Sequence, residues 1–370
     1  MLGVYRSQKC LCRLGRRTAR LGRMRDLTTL PKAHLHLHFT GSMRVSTLAD
    51  LAIEQGIRLP ANLTNTTALR VPANERGWFR FQRAYDAART VVRSEESMRR
   101  IVREAAADDA AEGSRRLELQ IDPTSYAPFV GGITPALEIV LDEANLASKT
   151  TGVQVAIIVA ASRIKHPLDA RTLARLAAKH AGNGPGQVIG FGLSNDERRG
   201  VTSKWSSAFN IARRAGLASV PHAGELLGPG HIREVVTHLR PTRLGHGVRA
   251  AEDSDLLARI VGAGIALEVC PTSNVQLGVY SAPDEVPLRR LSDAGAQIAL
   301  SADDPLLFLS RLTDQYEIAR EQGFSDAELA SFAKDSITAS MATVESKQRW
   351  LREVDDWLTA PVQTDAEVKA

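Results

Sequence analysis

Eight short runs rich in apolar and β-branched residues recur along this chain, and most are separated by stretches with helical spacing of apolar residues. They are AHLHLHF (33–39), RRLELQID (115–122), VQVAIIVAA (153–161), VIGFGLS (188–194), LASVPHAGE (217–225), RLGHGV (243–248), IALEVCPTS (265–273) and QIALSADDP (297–305). Most lie 20–40 residues apart, with amphipathic segments such as DARTLARLAAKHAG between them. Near-continuous apolarity marks strands buried on both faces, as in a parallel sheet. Eight strand–helix units over about 270 residues predict a closed (β/α)8 barrel of the TIM type. A doubly wound open sheet is the alternative. It generally holds fewer strands and a glycine-rich phosphate loop, and neither G-x-G-x-x-G nor G-x-x-x-x-G-K-[ST] occurs here. After the first run, residues 42–114 contain helical stretches, among them STLADLAIEQG and a long segment from WFRFQRAYDAAR onward. They are expected to form a helical insert that covers the substrate.

Barrels of this kind carry their chemistry at the C-terminal ends of the strands, and this chain places its metal-type residues there. His34, His36 and His38 alternate in the first run. On a strand that spacing directs all three to one face, where imidazoles can converge on one ion. Packing alone does not explain them, because each buried imidazole needs a compensating hydrogen bond. His34 stands apart, at the mouth of the strand beside the ligands or simply exposed. The fifth run ends in His222 and Glu225, the sixth holds His246, and the eighth ends in Asp303, Asp304 and Pro305. An Asp pair before a proline is by itself an ordinary turn or cap, and a lone Glu an ordinary helix-start charge. Their place at strand ends makes them site candidates. His166, His180, His231 and His238 fall in helices or loops without a matching partner and are expected to be ordinary structural or surface histidines.

The net charge of +5 is unevenly spread. Residues 1–25 carry seven arginines, one lysine and no acid, so their +8 leaves −3 for residues 26–370. The basicity belongs to a leader, read here as a disordered extension with Met24 a candidate natural start, rather than as an Arg-rich transit peptide. A mildly acidic body with 5% aromatics excludes a groove-tracking or base-stacking nucleic-acid surface. No apolar run approaches the roughly 20 residues that span a bilayer. Cys10, Cys12 and Cys270 suggest no disulfide framework and fit a cytoplasmic protein. The expected organisation is a leader over 1–25, one domain over 26–358 and a disordered tail over 359–370.

PKAHLHLHFTG, PHAGE, RLGHG and SADDP, in that order across residues 31–305, resemble the first-, fifth-, sixth- and eighth-strand motifs of the adenosine deaminase family of metal-dependent amidohydrolases. GFGLSNDE (190–197) and VCPTSN (269–274) are similar to its fourth and seventh strand ends. The resemblance implies one zinc ion per chain, bound by His36, His38, His222 and Asp303 with one position left for water. Zinc with such ligands lowers the pKa of its water to about 7. The resemblance also implies that His246 orients that water and stabilises or deprotonates it. Glu225 would protonate purine N1, and Asp304, protonated or sharing a proton, would hydrogen-bond N7. Two departures bear on the substrate. Where the family usually has an acidic residue that contacts the ribose, this chain has Thr40. Where it commonly has a glycine whose backbone donates to N3, this chain has Asn195, whose side chain narrows the pocket or adds a hydrogen bond.

The expected activity is hydrolytic deamination of adenosine, or a closely related 6-aminopurine nucleoside, to inosine and ammonia. Adenine, N6-modified AMP and other adenine-bearing metabolites are alternatives of the same class. A hydrolase of another bond, such as a lactone or phosphoester, is disfavoured because such barrels tend to use a carbamylated lysine in the fourth strand, and VIGFGLS has none. The deaminases marked by H-x-E and P-C-x-x-C are set aside because no C-x-x-C occurs. A non-catalytic nucleoside binder on the same barrel would be marked by loss of a ligand or of Glu225, and none is lost. The expected partner is a small-molecule purine, with neither nucleic acid nor membrane. The sequence sets no oligomeric state.

Overall fold

The structure, a computed structural model, describes residues 24–64 and 67–361. Residues 1–23 of the expected leader and 362–370 of the expected tail lie outside the described residues. At the leader's described end, Arg25 donates to Trp357 O at 2.7 Å and lies 5.5 Å from that ring's centroid, on the last helix, Val344–Thr359.

Eight strands form one sheet: β1 (Lys32–His38), β2 (Ser114–Ile121), β3 (Gln154–Ser162), β4 (Val188–Ser194), β5 (Ala218–Ala223), β6 (Arg243–His246), β7 (Ala266–Val269) and β8 (Ile298–Leu300). Each pairs in parallel with the next. The ring closes where His38 N–H donates to Asp303 O at 3.0 Å and Asp303 N–H donates to His36 O at 3.1 Å. This is the (β/α)8 barrel the eight runs imply. Strands β5, β7 and β8 are shorter than their apolar runs. Pro271 opens the helix Pro271–Gln276 and Pro305 opens Pro305–Phe308, because proline's set φ and missing N–H suit the first helical turn. Glu225, Asp303 and Asp304 therefore stand just past strand ends, on the rim of the barrel.

The helical insert contains α1 (Val45–Glu54), α2 (Ala61–Thr64), α3 (Glu75–Arg89) and α4 (Glu95–Ala111). Asn74 starts α3 by accepting from Gly77 N–H, and Ser94 with Ser97 forms a capping box that starts α4. No helix among the described residues is long and apolar enough to cross a membrane.

The outer face of the barrel packs on helices through one large apolar cluster that includes Leu117, Leu119, Val155, Ile157 and Val159. The interior is divided. Strands β3 to β5 give it a small apolar cluster of Ala156, Ile158, Ile189, Ala218 and Val220. The other half holds charges. Arg116 Nε donates to Glu118 Oε1 at 3.1 Å, and Arg243 bridges Glu118 Oε2 and Glu268 Oε1 at 2.6 Å each. All four side chains are at most 1% exposed. Burying one such charge alone costs several kcal/mol, whereas an alternating chain pairs every member. Arg243→Met leaves two buried carboxylates short of their shared cation. It is expected to cost about 3–5 kcal/mol, read as a lower urea midpoint. Arg100→Met, at a surface pair with Asp50 and Glu104, should cost under about 1 kcal/mol.

Candidate active site

Strand ends β1, β5, β6 and β8 bring the polar residues to one cavity of about 830 Å3 including its open mouth, lined by His38, His222, Glu225, His246, Asp303 and Asp304 among others. His38 Nε2 lies 3.2 Å from His222 Nε2 and 3.2 Å from Asp303 Oδ1, and His36 Nε2 lies 3.4 Å from the same oxygen. His36 Nε2 and His222 Nδ1 are buried with no hydrogen-bond partner among the described residues. A tetrahedral zinc with bonds of about 2.1 Å separates its ligands by about 3.4 Å. The imidazole and carboxylate atoms are therefore spaced as a cation's first shell, and the residues fit the metal that the family pattern implies. His246 stands across from them, with Nε2 3.7 Å from Glu225 Oε1.

His34 departs from the strand alternation. In β1 two residues, Leu35 and His36, lose step with β2: His34 pairs with Leu117 but Leu37 with Leu119, so three steps along β1 cover two of its neighbour. One extra residue turns the side chains over. His34 is directed to the helix layer with Leu117, while His36 and His38 face the interior. It is neither exposed nor at the mouth: its ring is 2% exposed, 2.9 Å from Asp109 on α4, and accepts Ala302 N–H at 3.1 Å. Among the other histidines, His166 caps a helix and His238 faces Glu234, whereas His231 lies 3.9 Å from the buried Glu197.

Thr40 is fully buried and is not among the cavity-lining residues. Its hydroxyl is 2.6 Å from Tyr126 OH, and Tyr126 lines the cavity in its stead. Asn195 does line it, but its side-chain oxygen accepts the N–H of Asp196 at 2.8 Å and so is turned onto its own backbone. It adopts a left-handed φ of 75°, with His246 at 62° and Asp303 at 64°. Such backbone costs about 1–3 kcal/mol per residue and gathers at functional sites.

Burial separates the protonation states of these groups. It disfavours the charged form of His36, but the Asp303 and Glu268 carboxylates outweigh it and raise the pKa to about 9. Burial lowers His222, helped by His36 and His38, and brings His246 down to about 3. It opposes ionisation of Asp303, yet the hydrogen bonds from His36 and His38 hold that carboxyl well below the usual range. Glu225 and Asp304 have no such bonds. Burial, then the neighbouring Asp303 charge, pushes both well above the usual carboxyl range, which favours the protonated form of each.

Three supporting residues escape a reading based on strand ends. Glu268 Oε2 holds His36 Nδ1 at 2.8 Å, and Ser273 Oγ donates to Asp303 Oδ2 at 2.7 Å. Buried Glu197 accepts the backbone N–H groups of Glu225, Leu226 and Leu227 at 3.1, 2.8 and 2.6 Å. A single acid in the apolar run IALEVC was the visible signal for Glu268; Glu197 followed Asn195 and Asp196 without standing out.

Barrel and site together define a metal-dependent hydrolase that removes an amino group. The family model described as adenosine deaminase matches residues 31–357, and the chain belongs to that family. A Streptomyces coelicolor protein provisionally named adenosine/adenine deaminase is 56% identical, the match covering 91% of this chain and 99% of its own. An adenine deaminase of Rhizobium leguminosarum is 33% identical over 87% of this chain and 98% of its own. Among solved structures, the adenine deaminase of Arthrobacter aurescens matches with a TM-score of 0.81 and 28% identity, covering 90% of this chain and all of that one, 100%. The Arabidopsis N6-mAMP deaminase matches at 0.77 and 25%, covering 89% and 99%.

The Glu197 contacts are directly measurable. Hydrogen bonds to a charged acceptor contribute about 1.5–3 kcal/mol each. Glu197→Ala should speed amide exchange at residues 225–227 by roughly tenfold to a hundredfold, with Glu197→Gln intermediate. Unchanged protection in the alanine variant contradicts this anchoring.

Proposed function

We propose that this chain catalyses zinc-dependent hydrolytic deamination at C6 of a 6-aminopurine, adenosine or a close relative, with His36, His38, His222 and Asp303 as the metal ligands. The observation that carries the reading is the 3.2–3.4 Å spacing of those ligand atoms beside two buried carboxyls whose ionisation burial and the Asp303 charge oppose. Bound zinc supplies the nucleophile by lowering the pKa of water to about 7.

The other steps belong to side chains. Glu225 gives its proton to ring N1, which leaves C6 electrophilic. Asp304 donates its proton in a hydrogen bond to N7 and fixes the ring's orientation. His246, kept neutral by burial, has a free ring nitrogen to accept the proton of the attacking water. A proton then passes to the exocyclic nitrogen, and ammonia leaves as the 6-oxo product forms. Free adenine is a second reading. It is favoured by the relatives named adenine deaminase and by Thr40, which puts a buried hydroxyl where the family pattern has a ribose-binding carboxylate.

Glu225→Gln is expected to keep its zinc and lose about 10²–10⁴ in kcat. His36→Ala should lose metal and turnover together, measured by metal analysis and ammonia release. A metal-loaded, active His36→Ala enzyme rejects the ligand set. Wild-type enzyme that frees neither ammonia from adenine, adenosine or AMP nor methylamine from N6-methyl-AMP rejects the purine reading.

A further inference from the structure

Building on the purine reading, we propose that the natural substrate carries an anionic group, a carboxylate or a phosphate, on an arm from its N9 side, and that Arg89 and Lys165 at the cavity mouth bind it. With C6 at the metal, N1 at Glu225 and N7 at Asp304, N9 lies on the far edge of the ring. Whatever it bears points out of the barrel, toward α3.

The face that α3 turns to the cavity consists of Trp78, Phe81, Gln82, Tyr85 and Arg89, spaced three or four apart save for one adjacent pair. Tyr85 is near enough to Asp304 for that carboxylate to help raise its pKa, after burial as the main cause. Arg89 lies one helical turn further on, about 5–6 Å along the axis. Its guanidinium carbon is 5.7 Å from the Tyr85 ring centroid. Lys165 reaches the same place from beyond β3.

The two cations share one short anchor. Lys165 Nζ donates to Asp122 Oδ2 at 2.9 Å and to Thr124 Oγ1, and Arg89 Nη1 donates to Ser125 Oγ at 3.2 Å. Three residues of the stretch 122–125 thus hold both side chains, which remain 36% and 30% exposed and line the cavity. A guanidinium has five N–H donors and an ammonium three. Arg89 also donates through Nη2 to Asp86, which does not line the cavity, and lies over the Tyr85 ring, so further guanidinium N–H donors remain for a ligand. Asp122, the acid that lines the cavity beside Lys165, has its Oδ1 engaged by Thr124 N–H at 3.0 Å and Thr124 Oγ1 at 2.6 Å. Surface cations are more often solvated than functional. Here two of them converge on the wall of the catalytic cavity, where a neutral base or nucleoside needs neither. A paired guanidinium and ammonium at a cavity mouth suit an oxyanion and also draw it in.

The test is ammonia release from the zinc-loaded full chain. Adenosine is compared with AMP, adenosine 5′-carboxylic acid and a 5′-thioadenosine bearing a carboxylate on a three-carbon arm. At least one anionic probe is expected to exceed adenosine tenfold or more in kcat/KM. The double variant Arg89→Gln/Lys165→Gln should shrink that ratio at least tenfold, chiefly through KM, and added salt should shrink it in the wild type. The preferred probe separates phosphate from carboxylate. If the double variant does not fold, Lys165→Gln alone carries the same ratio measurement. Adenosine or adenine matching all three probes, or an unchanged ratio in a folded variant, overturns the proposal and leaves deamination standing. Silence from every compound overturns the purine reading instead.

Discussion

Both oxygens of Glu268 are committed, one to Arg243 Nε at 2.6 Å and the other to His36 Nδ1 at 2.8 Å. That carboxylate ends a buried chain running Arg116, Glu118, Arg243, Glu268, His36, which draws on strands β1, β2, β6 and β7. No member can be removed cheaply, since its neighbour would keep a charge without water or partner. The chain therefore ties β1, β2, β6 and β7 together and also points one ring. With Nδ1 engaged from below, His36 Nε2 is turned up toward Asp303 and the cavity. A histidine held this way has its tautomer set by its partner, as metal-binding histidines generally do.

At the rim, neighbouring residues are driven to opposite protonation states by environment alone. Asp303 receives His36, His38 and Ser273, and stays ionised. Asp304 receives no such partner at Oδ1 and is buried beside that charge. Gly41 makes this burial possible: a Cβ there would fall 1.8 Å from Asp304 Oδ1. One carboxyl suited to a cation thus adjoins one suited to donating a proton. The left-handed backbone at Asp303 and His246 is part of the same arrangement, held in place by the barrel bonds on either side.

The barrel was legible because two-sided burial leaves a plain mark, an apolar run about every thirty residues, and because metal-type residues sat where those runs end. Glu225, His246, Asp303 and Asp304 were found by position alone. The extra residue in β1 was not legible. A period of two persists through KAHLHLH whether or not the strand bulges, so His34 could not be told from His36 by spacing. Strand length failed at β7 for a related reason: Cys270 to Ser273 continue an apolar run but begin a helix at Pro271. Glu197, Glu268 and Tyr126 act through partners 28 to 232 residues away, and no local pattern encodes such pairings.

Chemistry and selectivity occupy different parts of the chain. The groups assigned to water, N1 and N7 stand at or just past strand ends, where the metal ligands and the Glu225 backbone are held by buried bonds, whereas the far side of the cavity is the α3 face of the insert. Thr40 marks the boundary. It follows β1 by two residues, yet its hydroxyl turns to Tyr126 at the edge of the mouth rather than into the cavity. An acid in that place would present a charge to a sugar; a buried threonine leaves the arm of the substrate to be read by whatever α3 and the segment after β2 supply. Changes on that face alter none of the Glu268, Ser273 or Glu197 contacts, which lie on the strand-end side of the cavity.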